Sequence, residues 1–527
     1  MDTLAKGTMS RRTLLKGAAM AGAATTATAL AGYAMADEDV AAMQWDYSAE
    51  IVVVGFGGSG AIAAIQAHDN GADVLVVEKC PDDTAEQYNH YNSTRIAGGY
   101  MIEFYDEQGA IDYLTAASRG ATPQDVIEAW APYATDICDY LLDLGGEVED
   151  MGMSGTEYDL DLFPQGENCE QYHHVDGGAG LWNTLYNATM EREIPVIYDA
   201  PAQSLITNAE GTVIGVKAEQ GGKTLNIKAT KAVILSTGGF EYDFDMLNQY
   251  IWVNKPRFYA SPTNTGDGIR MAQAVGADLW HMSLIGGRVI PYFDELGFGI
   301  GGGYPRPYYM IVDHYGKRYM NENWKAHSAC LEAFRFDTNL CDFPRSPSYS
   351  IFSQDTIDSG PLVMGAMLSM GVYDWSDDNS KEIEAGWVLK GETIEELAEK
   401  INEDPDVAGR MDPAVLAETL ANFNEYAANG VDPEFGRPAE HMKPLDRPPY
   451  YALRMSPGGV NTFGGPRRNA KGQIVKPDGE PVGHLYGTGE MGSILGFLYA
   501  GGGWNLCEIS TSGRLAADNA VLEEPWE

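Results

Sequence analysis

The amino-acid sequence predicts an α/β chain: a doubly wound, Rossmann-like domain split by an inserted domain. Three observations predict it. An apolar run, Ile51-Val-Val-Val54, passes directly into Gly55-Phe-Gly57-Gly58-Ser59-Gly60 and then an alanine-rich stretch. A second apolar run that closes on paired glycines recurs far downstream, at Ala232–Gly239. Between about 241 and 440 the composition changes, first to dense aromatics, prolines and glycines, then to helical patterns.

The first run reads as a buried strand and the alanine-rich stretch as a helix packed on it. G-x-G-x-x-G falls between them at Gly55, Gly57 and Gly60. One glycine makes the tight turn, one lets backbone approach a pyrophosphate, and one lets helix and strand pack closely. Phosphates then sit at the positive end of the helix, beside Ser59. The next strand, Val74–Val77, ends in Glu78-Lys79. An acid roughly 20 residues past the glycines is the group that holds adenosine ribose hydroxyls. These features predict a dinucleotide site in residues 47–240.

Further along, Asn92-Ser93-Thr94-Arg95-Ile96-Ala97-Gly98-Gly99 offers small side chains for close backbone approach to a bulky ligand. Residues 108–146 read as helical, with Pro123 as a start and Gly145-Gly146 as a stop. Tyr172–Gly178 reads as a polar loop whose two histidines lack the further ligands a metal needs. Residues 203–236 alternate in period two and predict a small antiparallel unit. Thr265-Gly266-Asp267-Gly268 opens a helix at Ile269–Val275, and Met310–Val312 reads as a strand. Thr393-x-x-Glu396 is a capping box. Asp412-Pro413 starts a helix with the stripe Leu416, Leu420, Phe423 and a stop at Gly430. From 441 the chain is expected to return to the first domain. Gly483–Glu490 reads as strand, glycine turn and acid, and three glycines, Gly501–Gly503, precede a final helix whose free amides face an anion.

At 527 residues the chain can hold two to four domains. The formal net charge of -41 argues against nucleic acid, because an anionic surface repels phosphate. Six cysteines include no C-x-x-C or C-x-x-C-H, so no covalent haem or standard iron–sulfur loop is encoded, and no metal site is expected. Cys330 and Cys341 could pair or sit apart as core thiols. At the N-terminus, Ser10-Arg11-Arg12-Thr13-Leu14-Leu15-Lys16 is a twin-arginine pattern, followed by a weakly apolar run and Ala34-Met35-Ala36. Residues 1–36 therefore read as a signal peptide, and the mature protein as exported across the cytoplasmic membrane to the periplasm or cell surface.

Taken in order, the fingerprint with Glu78, N-S-T-x-x-A-G-G, S-T-G-G-F, T-G-D-G, G-K-R-x-x-N-E, L-Y-x-x-G-E and the final Gly513-Arg514 resemble the fumarate reductase and 3-ketosteroid dehydrogenase flavoproteins. The resemblance implies FAD held by the doubly wound domain, with the insertion acting as an α+β capping domain. It implies cofactor contacts from Gly55, Gly57, Ser59, Gly60, Glu78, Lys79, Ser93, Thr94, Gly98, Gly99, Gly238, Asp267, Glu490 and Leu506.

The fumarate-binding pattern of that family is missing: Ala500 and Ile357 fall where arginines are expected, and no His-Pro-Thr stands near Ile285–Arg288. The ketosteroid pattern fits better. Tyr499 and Gly503 have the spacing at which a phenol and an amide grip a ketone oxygen. Two preplaced donors would stabilise negative charge building on that oxygen as hydride reaches the β-carbon. A proton must also reach the α-carbon. Glu322 with Lys325, or His327, could supply it, with Tyr308, Tyr309 and His281 as further pocket candidates. The reading is an FAD-dependent reductase of an activated C=C bond, most simply an enone, fed by an external donor such as a cytochrome or a quinol-linked protein. A ketosteroid-type dehydrogenase running in the oxidative direction, a fumarate reductase-like enoate reductase and a non-catalytic flavin carrier stand as alternatives.

Overall fold

A computed structural model describes residues 37–82, 92–300, 308–323, 327–363 and 373–526. The twin-arginine pattern and Lys325 lie outside the described residues.

The nucleotide domain is built on an eight-stranded sheet, parallel at its centre. β1 (Tyr47–Val54) leads into helix α1 (Gly58–Asp69) and then β2 (Val74–Val77), its parallel neighbour. β3 (Lys223–Leu235) pairs in parallel on the other side of β1. The unbroken apolar run of β1 has a simple cause. Ile51 and Val53 enter the core under α1, whereas Val52 and Val54 enter the core on the opposite face. A strand covered on both faces needs no polar alternation. The period-two stretch forms two antiparallel hairpin contacts, 202–207 with 213–220 and 213–220 with the first half of β3. The expected polar loop at Tyr172 is instead the end of a strand, Cys169–His174, in a separate three-stranded sheet.

The cap is a seven-stranded sheet packed on both faces, with the two longer helices, Ile394–Ile401 and Pro413–Asn429, on one of them. β4 (Ile285–Phe293) and β5 (Ser348–Ser353) flank β6 (Tyr450–Thr462), which also pairs with 257–258 and 388–391. β6 thus corrects the expected boundary at 441: the chain stays in the cap until about 463. Thr393 and Asp412 cap their helices as expected, accepting from the Glu396 and Ala414 amides. Leu416, Leu420 and Phe423 are buried together against the sheet.

The return completes the first domain. β7 (Pro481–Gly487) pairs in parallel with β3, and the last helix, α2 (Trp504–Ala520), packs on α1. Cys330 is a core thiol, Cys341 is exposed, and both are free. No helix among the described residues is long and apolar enough to cross a membrane.

Candidate active site

The three fingerprint glycines do three different jobs. Gly55 has φ +102°, and a Cβ there would collide with the Ser236 carbonyl oxygen. A Cβ on Gly60 would collide with the Gly55 carbonyl oxygen, so Gly60 sets how closely α1 approaches β1. Gly57 has no atom within 4 Å of such a Cβ, and it caps α1 without a side-chain hydrogen bond. Its bare backbone therefore fronts open space at a helix N-terminus, the place a pyrophosphate requires.

From there one cavity runs along the join of the domains. It passes Gly55–Ser59, Glu78–Pro81, Asn92–Thr94 and Gly238, and ends at Tyr499, Gly502–Gly503 and Leu506. Ser59 and Ser236 share a hydrogen bond, and Thr488 Oγ1 donates to Ser236 Oγ at 3.0 Å, tying both ends of the chain together. Thr94 Oγ1 accepts from the Gly58 amide at 3.0 Å. Glu78 accepts from the Phe56 amide at 2.6 Å and the Cys80 amide at 2.7 Å, which fixes its carboxylate on the cavity wall. Lys79 donates to Asp267 at 2.6 Å, and both line the cavity. Ser93 accepts from Asn264 at 3.3 Å.

Of the expected cofactor residues, Gly60 and Gly99 stand off the wall. They act through packing: a Cβ on Gly99 would strike the Gly177 backbone. Leu506, Asp267, Glu490 and the others line the cavity. Glu490 accepts from Asn461 Nδ2 at 2.7 Å. Burial, with Glu241 as its neighbour, raises Glu490 well above the usual carboxylate range.

The residues fit FAD. Besides the open Gly57 cradle, the Asn505 side-chain amide has both polar atoms buried without a partner, and so does Asn461 Oδ1. Both residues line the cavity. Buried polar groups are normally satisfied, so these await a polar ligand.

The far end is built from side chains. Tyr499 is buried, and its ring stacks on His327 at 4.5 Å and Phe463 at 5.8 Å. A Cβ on Gly286 would lie 2.6 Å from that ring, so the glycine makes room for it. The Asn505 amide donates to the Tyr499 oxygen at 3.4 Å, which leaves the phenol proton available. Burial pushes the Tyr499 phenol well above its ordinary range and keeps it a donor. Gly503 starts α2 at φ +100°, with the Met101 backbone 2.7 Å from where a Cβ would stand. His327 Nδ1 is 2.7 Å from one Glu157 oxygen, and its backbone amide donates to the other at 3.0 Å. Burial lowers the His327 pKa, partly offset by Glu157. Arg288 lines the same end.

Other expected catalytic groups fall elsewhere. Glu322 is a correction: it is fully buried in the cap, bound by Arg318 and Arg437 beside Asp432, and is absent from the cavity lining. Its negative charge serves two buried guanidinium groups. Tyr309 donates to the Glu322 carbonyl and also lies off the cavity, as do Tyr308 and His281. Sequence reasoning missed Glu157, Arg288, Asn461 and Asn505. Of these, only Asn505 carried a signal, its place beside the glycine triplet.

The sequence profile of the family described as FAD binding domain matches residues 50–506. The chain belongs to that family. It is an FAD-dependent oxidoreductase. Digoxin reductase from Eggerthella lenta is 26% identical over 98% of this chain and 98% of its own length. A probable fumarate reductase, Ifc3, from Shewanella frigidimarina is 25% identical over 90% of this chain and 74% of its own length. The fold is similar to that of 3-ketosteroid Δ1-dehydrogenase from Sterolibacterium denitrificans, at TM-score 0.73 and 22% identity over 90% of this chain and 99% of that one. Both of these relatives are named as reductases, and the fold is shared with a dehydrogenase.

Proposed function

We propose that this FAD enzyme reduces the C=C bond of an α,β-unsaturated carbonyl compound. The observation that carries the reading is the meeting of Tyr499, its proton free to donate, with the start of α2 at Gly503 on one cavity wall. Bound FAD supplies the hydride chemistry. The chain supplies the oxyanion site: the Tyr499 phenol and the Gly503 amide hold the carbonyl oxygen as negative charge develops there. His327, oriented by Glu157, stands in the same chamber as the group that can carry the proton. The lack of any haem or cluster motif in the sequence favours electrons arriving from a separate carrier, such as a cytochrome or quinol-linked protein. The twin-arginine pattern favours export in the folded state.

The test is turnover with reduced viologen against enones, enoates and fumarate. Tyr499→Phe is expected to cut turnover by ~10²–10³ while flavin stays bound. A Tyr499→Phe enzyme with undiminished turnover removes the phenol from the mechanism. The opposite direction, a ketosteroid-type dehydrogenation, uses the same two donors and is favoured by the fold's likeness to a ketosteroid dehydrogenase. Oxidation of saturated ketones with an artificial acceptor, in the absence of enone reduction, would select it.

A further inference from the structure

Two acids from distant parts of the chain meet behind the middle of the cavity. Glu241 lies just past the glycines that follow β3, and Glu490 lies in the turn after β7. Both are buried, and their carboxyls are within hydrogen-bond reach of each other. Glu241 Oε1 accepts from the Thr462 amide at 2.5 Å and its hydroxyl at 2.7 Å. Glu490 Oε1 accepts from Asn461 Nδ2 at 2.7 Å. Glu241 Oε2 has no donor, and among the described residues no other buried carboxyl oxygen is left so. Other buried acids are answered: Glu322 by Arg318 and Arg437, Glu508 by Arg468, and Glu382 by the Ser376 and Tyr373 hydroxyls.

Two ionised carboxyls are acceptors only, so their contact becomes a hydrogen bond when a proton sits in it. Paired like charges in a buried site repel strongly, and such pairs keep one proton. Burial, and then Glu241, hold Glu490 well above the usual carboxylate range. Neighbouring titratable groups do not supply the missing donor. Tyr242 donates its hydroxyl to the Phe258 carbonyl at 3.0 Å. Arg468 reaches the Gly489 carbonyl, but its charge is matched by Glu508 at 2.6 Å. Asn461 connects the pair to the cavity, which it lines together with Glu490. It stands across from Gly286 of β4, the glycine against the Tyr499 ring, whereas Gly489 packs against Ser59 behind the fingerprint. The acids therefore sit between the phosphate end and the Tyr499 end. Asn461 spends its amide nitrogen on Glu490, and its buried Oδ1 has no partner. What that oxygen lacks is a donor, an O–H or N–H of the bound cofactor.

We propose that Glu241 and Glu490 hold one proton between them and that Asn461 links this acid pair to a hydrogen-bond donor of bound FAD. The pair then carries one negative charge instead of two, beside a cofactor that gains charge when it is reduced. This needs only FAD binding and holds for either direction of the reaction.

The test is infrared spectroscopy of the holoenzyme in heavy water, with the glutamate carboxyl groups labelled with carbon-13. Glu490→Gln places an amide where the neutral acid would stand. Subtracting its spectrum from the wild type is expected to leave one protonated-acid C=O band that moves with the label, and no carboxylate bands. Loss of carboxylate bands instead would mean two ionised acids bridged by water, and overturns the shared proton. A second measurement needs no variant. When the flavin of the wild type is reduced, the labelled acid band is expected to shift, and a band that stays in place overturns the link to FAD. Asn461→Leu, with its flavin content checked by absorption, is expected to keep the acid band and lose that redox shift. A shift of wild-type size in Asn461→Leu removes Asn461 from the link.

Discussion

The two ends of the cavity are built on opposite principles. The fingerprint end is made of backbone: glycines that admit close approach, a helix start, and one acid fixed by two amides. The far end is made of side chains from four distant segments, brought together at Glu157, Arg288, His327 and Tyr499. A backbone site tolerates almost no change in the residues that shape it. A side-chain site can be altered one contact at a time, and this is how a shared cofactor domain can serve different substrates.

The largest expected effect tests the first half of that contrast. Gly60→Val should yield no flavin-loaded protein, because its side chain would occupy the Gly55 carbonyl and push α1 off β1. The absorption spectrum of the purified variant checks this, and normal flavin content would contradict the packing role. Glu322→Ala comes next. Removing one partner of a buried ion-pair network typically costs about 3–5 kcal/mol, which urea unfolding would read. The folded fraction should keep its turnover, and a selective loss of kcat would return Glu322 to the chemistry. A milder change, Glu78→Ala, should weaken FAD binding about 10- to 100-fold, measured by flavin release on dilution. Full retention would count against a ribose contact.

The smallest effect concerns acid. Burial lowers the pKa of His174, His281, His314 and His327 below the ordinary value near 6.5. The folded state then resists protons that the unfolded state accepts below about pH 6.5, so stability should fall gradually as pH drops through that window. Carboxylates held low against the cost of burial, Asp404 by the Tyr349 hydroxyl and then Arg454, and Asp432 by Arg318, keep their contribution until more acid conditions. A melting temperature flat between pH 7.5 and 5.5 would refute the histidine contribution.

The same division explains what could be read from the sequence. Gly55, Gly57, Gly60 and Glu78 carry their geometry in their spacing, so the fingerprint end was legible in one line of residues. Tyr499 and Gly503 were legible because both flank one helix start. Glu157 and Arg288 were not, because nothing local marks either residue. Glu157 sits in an irregular stretch and Arg288 in a strand, and only the tertiary fold brings them to His327. Glu322 misled for the reverse reason. Its sequence neighbourhood matched a familiar pattern, but Arg318, four residues before it, and Arg437, far behind it, claim its charge. The boundary at 441 failed because β6 pairs with cap strands whose register no local pattern announces.

The placement of α2 has a consequence for how the protein is made. Its packing on α1 and the pairing of β7 with β3 join pieces made before the cap to pieces made after it. The cofactor's berth is thus closed only after the whole cap has emerged. A chain cut just before Phe463 should contain an intact fingerprint and every cap strand, yet hold no flavin. Yellow colour in such a fragment would show that the early half can load alone.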